Sequence, residues 1–147
     1  MRALQRALVA VWLLVLCPGA AMADGAASSG ELAQKVEQAL KAKDATAMAA
    51  LYNWDRVAPD IKSQLQEAVE SMVGDPVRKV ELRPLPGDFE PVQELGDQCY
   101  VQNVKAEGVV TLIYSLEDDS AIATMPYGAK NGRYYLSAPV MEKCPGS

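Results

Sequence analysis

The hydrophobic period of this chain changes at Pro76, and that change decides the fold class. Upstream, Ile61, Leu65, Ala68, Val69, Met72 and Val73 fall at i, i+4, i+7, i+8, i+11 and i+12, the stripe of a helix that buries one side. Pro59 suits the first turn of that helix, Gly74 stops it, and Asp75-Pro76 keeps it from resuming. Downstream the spacing is two. In 77–83, Val80 and Leu82 alternate with Lys79, Glu81 and Arg83. Helices that all precede the strands do not make βαβ units. They predict an α+β domain in two layers, with N-terminal helices packed on a curved antiparallel sheet of four to five strands.

Two shorter helices precede Pro59. Ser28 with Glu31 three residues on reads as a capping box, and Leu32, Val36, Ala39 and Leu40 give one apolar face. Asp44 caps a second helix over 45–52, whose apolar face would be Ala47, Met48, Leu51 and Tyr52. Among the strands, 109–115 (VVTLIYS) is apolar on both faces and reads as central. Residues 99–104 are a strand, 84–88 a turn, and 89–98 an acidic loop or a poor strand. Asn131-Gly132 between 121–129 and 133–138 is the strongest hairpin signal in the chain. It would set Lys130 opposite Arg133 and Ala129 opposite Tyr134. Pro139 would end the last strand, leaving a tail that carries Cys144.

The first 23 residues have the order of a secretory signal. Arg2 and Arg6 precede an uncharged run over 7–16, then Cys17-Pro18-Gly19, then Ala21-Met22-Ala23 before Asp24. The run is too short to span a bilayer, which takes about 20 residues. A lipidated Cys17 fits less well, because Leu16 stands where such signals carry a small residue. The expectation is a signal peptide over 1–23, a flexible N-terminus over 24–30 and a single α+β domain over 31–147, periplasmic or extracellular after cleavage near Ala23.

Charge and cysteine content bound the chemistry. Without Arg2 and Arg6 the chain keeps 12 basic and 19 acidic side chains, a net charge of −7. Such a domain, with no basic cluster, is a poor partner for nucleic acid or anionic lipid. Cys99 and Cys144 are the two cysteines that remain, and in an oxidising compartment they are expected to pair. Histidine is absent from the whole chain. That removes Ser-His-Asp and Cys-His hydrolysis and the usual zinc and copper sites, so neither a metal nor a cofactor is expected. Glu117-Asp118-Asp119 lacks the alternating spacing that wraps oxygen ligands around calcium and reads as a solvated turn.

The remaining candidates are aromatic and acidic. Tyr114, Tyr127, Tyr134 and Tyr135 fall on neighbouring strands, where tyrosines line pockets or pair across a sheet. Tyr134 and Tyr135 must point to opposite faces, so only one can join the others. Trp54, beside Tyr52 and Asp55, sits at the break before the third helix. Trp54, Tyr114, Tyr127 and Tyr135 are taken as the ligand-binding set, with Asp55 as the one carboxylate placed for proton transfer.

The run Gly108-Val109-Val110-Thr111-Leu112-Ile113-Tyr114, followed by Met125-Pro126-Tyr127-Gly128 and the hairpin through Leu136, resembles small secreted domains of the nuclear transport factor 2-like superfamily, a cystatin-like α+β roll. The likeness spans roughly 31–138. It implies helices packed into the concave side of a strongly curved sheet. Enzymes on that fold, of the ketosteroid isomerase and scytalone dehydratase kinds, use an Asp or a His with tyrosines in the cone; other members bind a ligand or a partner. The expected function is a non-enzymatic exported domain that binds a small apolar molecule or a protein partner through its sheet, with homodimer formation a further expectation. Two alternatives stand beside it: an isomerase or dehydratase using Asp55 with a tyrosine, and an inhibitor-like module acting through 84–88.

Overall fold

The computed structural model describes residues 25–114 and 122–145, so the expected signal over 1–23 and the acidic turn at Glu117-Asp118-Asp119 lie outside the described residues. Among the described residues three helices come first: α1 (Ser29–Lys41), α2 (Ala45–Ala49) and α3 (Pro59–Gly74). Seven strands follow: β1 (Lys79–Arg83), β2 (Val92–Leu95), β3 (Gln98–Gln102), β4 (Gly108–Ile113), β5 (Ile122–Lys130), β6 (Arg133–Leu136) and β7 (Pro139–Glu142). They form two antiparallel sheets, a strongly curled one in the order β1-β4-β5-β6 and a small one in the order β2-β3-β7.

Local chemistry explains the ends of the elements. The Ser28 hydroxyl accepts from the Glu31 amide at 3.1 Å, and the Glu31 carboxylate accepts from the Ala27 amide at 3.1 Å, two otherwise orphan donors at the start of α1. Asp44 caps α2 through the Ala47 amide at 2.9 Å. Asn131 (φ 52°) and Gly132 (φ 76°) make the left-handed pair of a tight hairpin, and the register is Lys130 with Arg133 and Ala129 with Tyr134, as the spacing predicts.

The hollow of the curled sheet is filled. Val110 and Leu112 of β4, Met125 and Tyr127 of β5 and Leu136 of β6 meet Leu32 and Val36 of α1 and Met48 of α2, all buried. Each fully buried leucine or methionine here contributes about 1.5–3 kcal/mol. Gly128 lets the chain at Lys105 come close, since a Cβ at that position would run into the Lys105 carbonyl. On the outer side of β4, Thr111 is fully buried and its hydroxyl has no hydrogen-bond partner among the described residues.

Four expectations change. The third helix does not bury a continuous stripe: Val69 and Val73 are buried, Ile61, Leu65 and Met72 half-buried, and Ala68 exposed. The reason is that α3 packs on α1 and α2 and stands off the sheet. The second helix ends at Ala49, and Ala47 faces solvent. The stretch 24–30 reads as flexible from its small residues, yet Ala26 is fully buried and exchanges backbone hydrogen bonds of 2.9 and 2.8 Å with Tyr134. The small side chains that suggest mobility are what fit there: a Cβ on Gly25 (φ 84°) would strike the Tyr135 ring. Finally, β2 and β7 are strands, and with β3 they build a second sheet where a single one is expected.

Candidate functional site

The loop between α2 and α3 is held from inside by a buried amide. The Asn103 side-chain nitrogen donates to the Asn53 carbonyl at 2.6 Å and the Asp55 carbonyl at 3.1 Å. Its oxygen accepts from the Ala138 amide at 3.0 Å and the Ser137 hydroxyl at 3.4 Å. One side chain thus ties the loop to the link between β6 and β7. A lone asparagine near a strand end carries no sequence signal for such a role.

On that loop Trp54 donates from its indole nitrogen to the Ala49 carbonyl at 2.9 Å, and its ring lies 5.5 Å from Tyr52 and 5.3 Å beneath the Lys62 ammonium. Asp55 forms an ion pair with Lys130 of the hairpin. With Tyr135 these side chains border a hollow of about 210 Å³. The structure therefore brings Trp54, Asp55 and Tyr135 together. It does not bring in Tyr114 or Tyr127. Tyr127 is opposite Leu136 in the register and shares its face with Tyr134, whose ring is 6.3 Å away; Tyr135, opposite Gly128, points to the other face. Tyr134 is thus the neighbour of Tyr127, and Tyr135 is not.

The chemistry available at this hollow is modest. The Asp55 side chain is 61% exposed and already paired with a lysine, the reverse of the desolvated carboxylate that proton abstraction asks for. Beside it, Tyr52 is buried with its hydroxyl donating to the Met125 sulfur at 3.4 Å, and burial pushes its ionisation up to about 12. Tyr114 is also held above the ordinary tyrosine range, by burial first and then by the negative charge of Asp75.

A second surface has a different character. The small sheet alternates strictly: Cys99 and Val140 face inward and are buried, while Leu95, Tyr100, Pro139 and Met141 face the other way. That outward face meets Ile61 and Leu65 of α3 across a groove of about 310 Å³. Leu95 is 64% exposed and Met141 42%, two of the three large apolar side chains left open among the described residues. The inward face is pinned by the Cys99–Cys144 disulfide, Cα–Cα 5.0 Å, and Arg56 from the α2–α3 loop pairs with Glu142 of β7 at 2.9 Å. The composition gave no hint of this groove. The usable signal was Gly96-Asp97, a two-residue hairpin turn with Gly96 at φ 64° between Leu95 and Gln98.

Helices followed by a curled antiparallel sheet whose hollow they fill define an α+β roll. Solved structures that match it include two chains described as calcium/calmodulin-dependent protein kinase II association domains. The one from Thiobacillus denitrificans is 13% identical over 80% of this chain and 96% of that chain, with a TM-score of 0.41. The one from Xanthomonas campestris is 15% identical over 78% and 84%, with a TM-score of 0.35. No protein-family model and no curated protein matches the sequence. At these identities no site residue is carried over from either structure. Among the described residues no helix is long and apolar enough to cross a membrane, and no cluster of three His, Cys, Asp or Glu is set to hold a metal.

Proposed function

We propose that this protein is an exported, non-catalytic domain that binds a protein partner through the open face of its small sheet. The observation that carries this reading is the contrast between a filled hollow and an uncovered groove. Leu95 and half-buried Tyr100 and Pro139 border the groove with Ile61 and Leu65, exposed Met141 lies on the same face of the sheet, and apolar side chains grouped in this way are a common mark of a recognition surface. Export is supported by the order of charge, apolar run and small residues over 1–23, and by two cysteines placed to bridge. The exposed, lysine-paired state of Asp55 favours binding over proton-transfer chemistry.

Two measurements test it. Mass analysis of protein recovered from its own compartment is expected to find a chain beginning at Asp24 with Cys99 and Cys144 bridged. Binding of a fluorescent apolar dye should then be lost in the Leu95→Ser, Met141→Ser double variant. A reduced, full-length cytosolic chain, or dye binding that the double variant leaves unchanged, would sink the reading.

A further inference from the structure

We infer that the groove beside α3 takes an extended, positively charged segment of a partner protein, laid along the free edge of β2. The inference rests on the binding-surface reading above and names the chemistry of the occupant.

The first observation is the edge. In the small sheet β2 pairs with β3 alone, and among the described residues no strand covers its other side. Backbone donors and acceptors of Val92–Leu95 are therefore available to an added strand. A strand laid there would send alternate side chains toward the face that carries Gln93 and Leu95, continuing its apolar row.

The second observation is charge. The stretch 84–98, which leads into and out of β2, holds Asp88, Glu90, Glu94 and Asp97 and no Lys or Arg, although Glu94, opposite Cys99, is turned to the other face. The opposite wall repeats the pattern. On α3, Asp60 and Glu67 are seven residues apart and so share one flank, next to the groove residue Gln64. The one lysine of α3, Lys62, is turned to the other flank and sits over Trp54. Across the sheet, Arg56 is paired with Glu142. A groove lined by apolar and amide side chains, with Asp60 and Glu67 along its α3 rim and Asp97 in the turn that ends β2, is complementary to lysines or arginines alternating with apolar residues. It is a poor match to a second copy of this chain, which would bring the same carboxylates to the same groove.

The probe is a labelled octapeptide of alternating leucine and lysine, titrated by fluorescence anisotropy against the oxidised protein lacking residues 1–23. Its counterpart of alternating leucine and glutamate is the control. The lysine peptide is expected to bind at least about tenfold tighter, to weaken as salt rises, and to lose about tenfold in Leu95→Ser. Asp60→Asn with Glu67→Gln should cost about three- to tenfold. A lysine peptide with alternate amides N-methylated, unable to donate along a strand, should also bind about tenfold more weakly. Equal binding of the lysine and glutamate peptides, both lost in Leu95→Ser, would overturn the charge assignment and leave the binding surface standing. Equal binding of the methylated peptide would overturn strand addition. No binding of either peptide, together with dye binding that Leu95→Ser does not change, would remove the surface itself. A dimer seen by sedimentation and dissolved by Leu95→Ser would assign the groove to a second copy, against the inference.

Discussion

The two sheets of this domain solve opposite problems with the same alternation of side chains. The curled sheet spends its inner face on the core: Val110, Leu112, Met125, Tyr127 and Leu136 are buried against α1 and α2. The small sheet has one buried face, with Cys99 and Val140, and leaves Leu95 and Met141 in water. A three-stranded sheet that buries only Cys99 and Val140 fully and leaves Leu95 and Met141 uncovered gains little from burial, and a covalent bond stands where packing does not. The difference teaches that the first sheet is the scaffold and the second is the surface it holds out.

If so, damage to the scaffold should cost most. Leu112 is fully buried in the middle of β4, touched from both the helices and the neighbouring strands. Leu112→Ala is expected to lower the unfolding free energy by about 3–5 kcal/mol, through lost burial and the cavity left behind. Urea unfolding of the oxidised protein would show it. A loss below about 1 kcal/mol would mean that the hollow of the curled sheet is not the core.

The small sheet should depend on its disulfide to a similar degree. The bridge closes a separation of 45 residues, for which chain entropy gives about 4 kcal/mol. Cys99→Ser with Cys144→Ser should lower stability by about 3–4 kcal/mol, and hydrogen exchange should rise first in β2, β3 and β7. Equal rises in both sheets would argue that the molecule has one cooperative unit and that the contrast drawn here is one of surface only.

Ionisation offers a third way in, from the scaffold side. The Tyr52 hydroxyl titrates near 10 in an unfolded chain and at about 12 in the folded one, because burial disfavours the phenolate. A group whose folded pKa is raised gives stability that is complete below the unfolded value. Here that stability fades as pH climbs from about 10 to about 12, a loss of roughly 2–3 kcal/mol. Tyr52→Phe should flatten that decline. It should also cost little at neutral pH, since only a hydroxyl-to-sulfur contact of 3.4 Å is removed. An unchanged decline in the phenylalanine variant would assign it to other groups.

A smaller effect of opposite sign is expected on the outer side of β4. Thr111 carries a buried hydroxyl with no partner among the described residues, which costs free energy without return. Thr111→Val keeps the shape and should raise stability by about 1 kcal/mol in the same urea experiment. A destabilised variant would mean that the hydroxyl is satisfied by water.

How much of this was legible follows from where short-range chemistry acts alone. The Ser28 cap, the Asn131-Gly132 register and the order of helices before strands are set within a few residues, and each stands in the structure as read. The small sheet is set by distant partners. Val92–Leu95 is too short and too acidic to show alternation, and it becomes a strand because Gly96-Asp97 turns it back onto β3. Pro139 reads as a stop, yet proline is tolerated as the first residue of a strand at a sheet edge, which is its place in β7. The period of α3 is truly helical, but periodicity says which side turns inward and not what covers it. Nothing in Ile61 or Leu65 announces that their neighbour is the open face of a second sheet. The aromatic candidates failed to assemble for a related reason: parity on β5 and β6 separates Tyr127 from Tyr135, and parity cannot be assigned until the register is known.

The smallest stability effect is expected at the residue to which recognition is assigned. Leu95 is 64% exposed at the end of β2, so Leu95→Ser removes almost no buried area and should change the unfolding free energy by no more than about 0.5 kcal/mol. An exposed strand-end position, where a polar side chain would favour solubility, is filled here with leucine, next to a turn whose own residues are Gly96 and Asp97. Neutrality in urea together with loss of dye and peptide binding would separate the two sheets cleanly, one carrying stability and the other carrying recognition. A drop of about 2 kcal/mol or more on Leu95→Ser would show that the groove is closed in solution by α3, and that the small sheet belongs to the scaffold after all.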